Sequence, residues 1–154
     1  MGRPPPELSF DFSFNSEGVI SPEALSSSSL TIVNFWGTWC GPCGEEMPRL
    51  QQLYQEHDRD SLLVIGFTKL PRDLDEDAPP EAALAAIGEF CAELGVSYPI
   101  WIEHESEVHD LYQVRSFPST VIFDRSGHVL DYGVGISGAE HIISSVKARL
   151  ESSP

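Results

Sequence analysis

The sequence predicts an α/β fold with a mixed sheet, on three observations. Two near-continuous apolar runs, 30–36 and 61–68, are typical of strands buried on both faces of a parallel sheet. Each run is followed by a helical pattern, and this alternation favours parallel strands joined by helices. Two shorter strands, 120–124 and 128–133, flank a Gly-containing turn at 125–127 and predict an antiparallel hairpin.

The remaining elements follow from the same periodicities. Residues 9–15 alternate phenylalanine with polar residues, so we expect a half-buried strand, with a short hairpin partner at Val19 and Ile20. The serine run 26–29 is interpreted as a flexible loop. We further expect a helix that starts at Cys43 and is kinked at Pro48. A second helix is expected at 81–95, with Leu84, Ile87, Cys91 and Leu94 facing inward. The remaining predicted elements are a strand at 98–102 and helices at 106–113 and 138–151.

The length of 154 residues fits one domain, which we place at 8–151 after a loose, Pro-rich arm at 1–7. We expect a monomer with no membrane span, because no run of about 18 apolar residues exists. The first residues carry one positive charge and no apolar stretch, so they do not read as a signal peptide. The sequence leaves open a cytoplasmic location or an extracytoplasmic one reached through a leader that is absent here.

The charge excludes some classes of partner. With 9 Lys and Arg against 24 Asp and Glu, the formal net charge is −15, and such a polyanion is repelled by nucleic acid and by anionic membranes. Eleven of the acids lie in 73–114, which has no Lys or Arg. This segment is either a solvated face or a surface that steers cationic partners.

The segment Trp39-Cys40-Gly41-Pro42-Cys43 lies between a predicted strand and a predicted helix. A C-x-x-C in this context indicates a thioredoxin-like redox motif. At a helix N-terminus the unpaired amides and the dipole favour the thiolate of Cys40. Cys43, one turn later, is close enough to form a small disulfide ring, and we expect it to be more buried and to react second.

A structural zinc site is the main alternative for a C-x-x-C pair, and it requires two more ligands. The five histidines are scattered, without a second C-x-x-C, and we expect them to be ordinary surface or edge residues. The sequence therefore predicts no metal site and no cofactor. These histidines are His57, His104, His109, His128 and His141.

Several stretches resemble one branch of the thioredoxin-fold oxidoreductases. The chain resembles the TlpA/ResA-like branch, which includes cytochrome c biogenesis thioredoxins. Four segments carry the resemblance: VNFWGTWCGPCGEEMPRL, DFSFNSEGVISPEAL, residues 80–114 and the loop Ser116-Phe117-Pro118-Ser119-Thr120. The resemblance covers about residues 8–151. It implies a three-layer α/β/α thioredoxin fold with an N-terminal β-hairpin and a central helix–strand insertion.

The resemblance also implies roles for individual residues. Cys40 is expected to be the nucleophile and Cys43 the resolving thiol. Pro118 is expected to be cis and to face the pair. The predicted substrate-binding residues are Trp39, which we expect to pack beside the pair and shield it, with Gly41, Pro42, Phe117 and Pro118.

Two positions distinguish this branch from many thioredoxins. Asn34 stands where they carry a buried Asp, and Glu46 stands where the branch carries a Glu, so Glu46 is the candidate proton acceptor for the cysteines. Gly44 and Phe117 depart from the family, since a Lys or Arg and a smaller residue are common there. Cys91 is expected to be a buried, inert thiol.

The function implied is a thiol–disulfide oxidoreductase that reduces or exchanges disulfides in protein substrates, with apocytochrome c as one candidate. It would need an upstream electron donor or acceptor protein. A thiol peroxidase is an alternative, but its Pro-x₃-Thr-x₂-Cys pattern is absent, with Val33 and Gly37 at those positions. A non-enzymatic copper carrier on the same fold is another alternative. Such carriers have C-x₃-C with a distant His, whereas the spacing here is C-x₂-C with Gly-Pro between the cysteines.

Overall fold

The structure is a computed structural model that describes residues 5–16, 21–70 and 79–151. Within these ranges a six-stranded sheet has the order β1-β4-β3-β2-β5-β6. The elements are β1 (Phe12–Phe14), a 3₁₀ helix (Pro22–Ser27), β2 (Leu30–Phe35), α1 (Gly41–Glu56), β3 (Leu62–Lys69), α2 (Glu81–Glu93), β4 (Ile100–Glu103), α3 (Glu107–Leu111), β5 (Ser119–Asp124), β6 (Val129–Val134) and α4 (Gly135–Glu151).

The sheet is mixed, as predicted. β2, β3 and β4 are parallel neighbours, whereas β5 is antiparallel to β2 and to β6. The β5–β6 hairpin is confirmed, and its turn contains Gly127 at φ +85°, a conformation that glycine adopts without steric cost. β1 pairs antiparallel with β4, Phe12 opposite Ile102, while the predicted hairpin partner at 19–20 lies outside the described residues.

The two faces of the sheet carry separate apolar clusters. α1, α2 and α4 cover one face, where Ile32 and Ile122 alternate with residues that point the other way. The opposite face holds Val33 and Val121 and is covered by α3, the 3₁₀ helix and the N-terminal segment around Leu8. The predicted three-layer α/β/α arrangement is therefore present.

Two details, in the serine run and in α2, differ from the sequence-based expectations. The serine run does not form a loop throughout, because its first residues belong to the 3₁₀ helix and the buried Ser28 donates a hydrogen bond to the Arg59 carbonyl. In α2 the buried positions are Ala83, Ile87 and Cys91, and the predicted Leu84 and Leu94 are only partly buried.

α4 begins at Gly135, three residues before the predicted start. Its first turn lies on β6, where a Cβ on Gly133 would meet the Gly138 carbonyl oxygen at 2.4 Å. Both positions must stay without a side chain for this contact to exist. α1 continues through Pro48, and the kink expected there stays a prediction.

Other parts of the chain bear on domain organisation. Residues 1–4 of the predicted arm lie outside the described ranges, while the Pro6 carbonyl accepts a hydrogen bond from the Tyr112 hydroxyl. No helix in the described ranges is both long and apolar enough to cross a membrane.

Candidate active site

Cys40 and Cys43 lie where β2 passes into α1. Cys40 is the N-cap of α1, with extended backbone, and its Sγ accepts a hydrogen bond from the Cys43 amide at 3.3 Å. The two residues form a disulfide with their Cα atoms 5.4 Å apart. Cys40 is 9% exposed and Cys43 is 0% exposed. The predicted helix N-terminus, the disulfide ring and the order of burial are all present.

Trp39 and Phe117 form an aromatic rim beside the pair. Their rings meet edge to face with centroids 5.6 Å apart, and Trp39 is 50% exposed. Half of the Trp39 surface therefore faces solvent, and the expectation that Trp39 shields the disulfide stays a prediction. The ring lies over Gly37, where a Cβ would meet it at 2.4 Å.

The loop that supplies Phe117 is anchored at its next residue. The Phe117–Pro118 peptide bond is cis, as the resemblance implied. The Pro118 carbonyl accepts a hydrogen bond from the Gly135 amide at 2.8 Å, which ties the loop to the start of α4. Gly41 and Pro42 are exposed in the first turn of α1. The structure therefore leaves these predicted substrate-binding residues accessible, apart from the buried Pro118.

Glu46 lies one helical turn after Cys43 and is 1% exposed. Its Oε1 is 3.7 Å from an Arg49 guanidinium nitrogen, and that same nitrogen donates to Glu140 of α4 at 2.9 Å. Oε2 has no hydrogen-bond partner within the described residues. Burial raises the pKa of Glu46 above 4.5, and the nearby Arg49 opposes that shift only in part. A carboxyl group so placed is suited to hold a proton close to the cysteine pair.

Asn34, which distinguishes the branch from many thioredoxins, and Gly44, one of the two departures from the branch, both have defined surroundings in the structure. Asn34 is fully buried in β2 and its Nδ2 donates to the Thr120 hydroxyl at 3.1 Å, so it joins two strands and does not titrate. A Cβ on Gly44 would lie 3.8 Å from the Phe90 ring of α2. Gly44 thus faces α2, and an alanine there would make an ordinary van der Waals contact with Phe90.

A buried carboxylate–imidazole pair was missed from the sequence. His109 is 1% exposed, not a surface residue, and its Nδ1 lies 2.5 Å from Oε2 of Glu103, which is 4% exposed. Burial alone would raise the pKa of Glu103, but hydrogen bonds from the His109 ring and from the Val108 and His109 amides outweigh it and hold the pKa below 4.5. The one sequence signal for the pair was two titratable residues six apart, across a strand end and a helix start.

Cys91 is free and buried, as predicted. Burial raises the pKa of its thiol to about 12, so the thiolate that exchange chemistry requires is absent near neutral pH. Over the described ranges, no group of three or more His, Cys, Asp or Glu side chains is arranged to hold a metal ion.

Comparison with known sequences agrees with the resemblance. Residues 5–132 match the AhpC/TSA family. The thioredoxin-like protein YneN of Bacillus subtilis (strain 168) is 31% identical over 105 residues, 68% of this chain and 55% of YneN. The thiol-disulfide oxidoreductase ResA of Bacillus thuringiensis (strain Al Hakam) is 28% identical over 115 residues, 75% of this chain and 60% of ResA. The chain thus spans about 60% of the length of such relatives.

Comparison with solved structures confirms the predicted thioredoxin fold. A thioredoxin-like protein solved in solution in its oxidised form matches with a TM-score of 0.78 and 26% identity, over 98% of this chain and 97% of its own. A thiol-disulfide isomerase from Corynebacterium glutamicum has the same fold, with a TM-score of 0.77 over 97% of each chain at 22% identity. With its family match over residues 5–132 and this fold, the protein belongs to the AhpC/TSA family, on the thioredoxin-like side that includes the ResA relatives.

Proposed function

We propose that this protein is a thiol–disulfide oxidoreductase that reduces disulfides in protein substrates. The observation that carries the proposal is the Cys40–Cys43 disulfide at the N-terminus of α1, with the first cysteine capping the helix that bears the second. The unpaired amides and the dipole at this end of a helix stabilise a thiolate. The relatives named thiol-disulfide oxidoreductases support the same chemistry.

The proposed cycle starts from the dithiol, which an external dithiol donor produces by reducing the disulfide. The Cys40 thiolate attacks one sulfur of the substrate disulfide, forms a mixed disulfide and releases the other substrate sulfur as a thiolate. The Cys43 thiolate then attacks Sγ of Cys40 and releases the second substrate thiolate. Two electrons pass to the substrate, its two thiolates take up two protons, and the protein returns to the disulfide form seen here.

Glu46 is the group we propose to accept the proton that Cys43 loses. Cys43 is fully buried, so water cannot readily remove its proton, and Glu46 lies one turn along the same helix in the same buried region. The raised pKa of Glu46 brings its proton affinity closer to that of a thiol than an exposed carboxylate would be. Arg49 and Glu140 hold this side of the helix against α4.

The substrate class we propose is a cationic, disulfide-containing segment. Glu45 is exposed on α1 two residues after Cys43, and Glu89 and Glu93 are exposed on α2. α2 approaches the start of α1: its Phe90 stacks on Trp36, with centroids 5.5 Å apart, and would lie 3.8 Å from a Cβ on Gly44, the residue after Cys43. Basic segments of apocytochrome c would be attracted to these acidic side chains. We propose that the enzyme is a monomer and that an upstream dithiol protein supplies its electrons.

Steady-state turnover of a disulfide peptide, driven by a small dithiol, tests the function. We expect Cys40→Ser to abolish turnover, while Cys91→Ala retains it. Full turnover without Cys40 would refute the proposal.

A lysine-rich peptide should react faster than an acidic one at low salt, with the difference shrinking as ionic strength rises. Equal rates with no salt dependence would refute the cationic preference alone.

A thiol peroxidase is disfavoured by the residues at the key positions. The peroxidatic pattern requires Pro at position 33 and Thr at position 37, but these positions hold Val33 and Gly37. Val33 is fully buried in β2, and Gly37 lies under the Trp39 ring. We expect hydrogen peroxide to be consumed no faster than by a mixture of ordinary thiols, in an assay with the same dithiol donor.

A further inference from the structure

The Glu103–His109 pair takes no part in the proposed thiol chemistry, yet it is the most buried ionisable pair in the described ranges. Burying a carboxylate and an imidazole is unfavourable unless each is well paired, so an apolar pair would fill the same space at lower cost. The buried position of this pair therefore points to a role beyond filling space in the core.

The carboxylate fixes the orientation of the imidazole. Oε1 of Glu103 accepts from the Val108 amide at 2.9 Å, and Oε2 accepts from the His109 amide at 2.9 Å as well as from its ring. α3 has no side-chain N-cap, and Glu103 satisfies two of its amides instead. Because a carboxylate only accepts, Nδ1 carries a proton, and the ring cannot turn without breaking this bond.

The fixed ring lies against aromatic side chains that lead to the cysteine pair. Its centroid is 5.2 Å from that of Phe35 at the end of β2, 5.7 Å from Phe67 and 5.8 Å from Phe117. Phe117 in turn meets Trp39, the residue before Cys40. Nε2 of His109 has no hydrogen-bond partner within the described residues, so the ring contacts this cluster as a packing surface.

We propose that His109, held by Glu103, is a positioning residue that fixes Phe117 and thereby shapes the Trp39–Phe117 rim that receives the protein substrate. The inference rests on the proposed function. The pair acts on recognition of a large substrate and not on the sulfur chemistry, because it reaches the cysteines only through Phe117 and Trp39. A small disulfide, which reaches Cys40 without covering the rim, is insensitive to it.

Kinetics with two substrates separate positioning from folding. For His109→Leu we expect KM for a disulfide-containing protein such as insulin to rise roughly two- to tenfold, the range that loss of one aromatic pair supports. We expect kcat and the rate with 5,5′-dithiobis(2-nitrobenzoate) to stay within about twofold, and the reduction potential of Cys40–Cys43 to stay unchanged. His109→Gln, whose amide can still donate to Glu103, should restore part of the KM. His104→Leu, an exposed histidine in the same segment, is the matched control.

A double-mutant cycle tests the route through Phe117. If His109 acts by positioning Phe117, His109→Leu should have no further effect on KM when Phe117 is already Leu. Additive effects of the two substitutions would overturn the inference. So would an unchanged KM in His109→Leu or, should that variant not fold, in Phe117→Leu. In each case wild-type turnover would leave the proposed function standing, whereas a wild type inactive on every disulfide would overturn that function.

Discussion

The amide of Cys43 donates a hydrogen bond to Sγ of Cys40 at 3.3 Å, so the first cysteine caps the helix that carries the second. The cap places one sulfur at the solvent-facing end of α1 and the other inside the domain. This asymmetry, and not the C-x-x-C spacing alone, assigns the two thiols different tasks.

The first prediction concerns which thiol reacts in the reduced protein. Iodoacetamide at pH 7 should alkylate Cys40 faster than a free cysteine, because the helix terminus favours the thiolate. Cys43 and Cys91 should stay unmodified in the folded state, since both are buried and the pKa of Cys91 is about 12. Mass spectrometry of proteolytic fragments measures the sites, and preferential labelling of Cys43 would contradict the account.

A second prediction follows from the burial of Glu46. Because its pKa is raised on folding, the stability it contributes is present below about pH 4.5 and is lost as pH rises through the raised folded value. Glu46→Gln removes this loss. In urea unfolding of the disulfide form, the variant should match the wild type near pH 4 and be the more stable protein at pH 8.

Glu45→Gln is the matched control for that experiment, because Glu45 is the exposed neighbour on the same helix. Its stability relative to the wild type should change little between pH 4 and pH 8. If Glu46→Gln gave the same flat difference, Glu46 would titrate as a solvated surface carboxylate, and its proposed role as proton acceptor would lose its basis.

A third prediction uses the close approach of Gly37 to Trp39. In Gly37→Ala the new Cβ would overlap the indole, so Trp39 must leave its place against Phe117. We expect KM for a protein disulfide to rise by roughly two- to tenfold, with a smaller change for a small disulfide. Gly88→Ala on α2, where the new Cβ has an ordinary 3.7 Å contact, should leave both values unchanged and should stabilise the helix by about 0.5–1 kcal/mol. Equal KM values for all three proteins would argue against a role for the rim.

The order of elements and the redox pair could be predicted from the sequence because their signals are local. Apolar runs identified β2 and β3, the Gly-containing turn identified the β5–β6 hairpin, and the C-x-x-C identified the site. The inward face of α4 was also predictable, with Ile142 and Val146 buried. Each of these features is encoded within about ten consecutive residues.

The features that the sequence did not predict depend on packing between distant segments. His109 is buried because Glu103 satisfies its ring and because Phe35, Phe67 and Phe117, from three other segments, enclose it. The pairing of β1 with β4 likewise joins residues about 90 apart, which no local period reports. Glu46 resembled the family's Glu, but its burial depends on α1 packing against α4.

The most direct test of the account is to trap the intermediate with Cys43→Ser. Without the resolving thiol, the reduced variant should form a stable mixed disulfide between Cys40 and a substrate cysteine. Intact-mass analysis should then show one substrate molecule for each protein chain, released by dithiothreitol and mapped to Cys40 after proteolysis. Cys40→Ser, the matched control, should trap little because the remaining Cys43 is buried. An adduct on Cys40→Ser and none on Cys43→Ser would contradict the central claim that Cys40 attacks and Cys43 resolves.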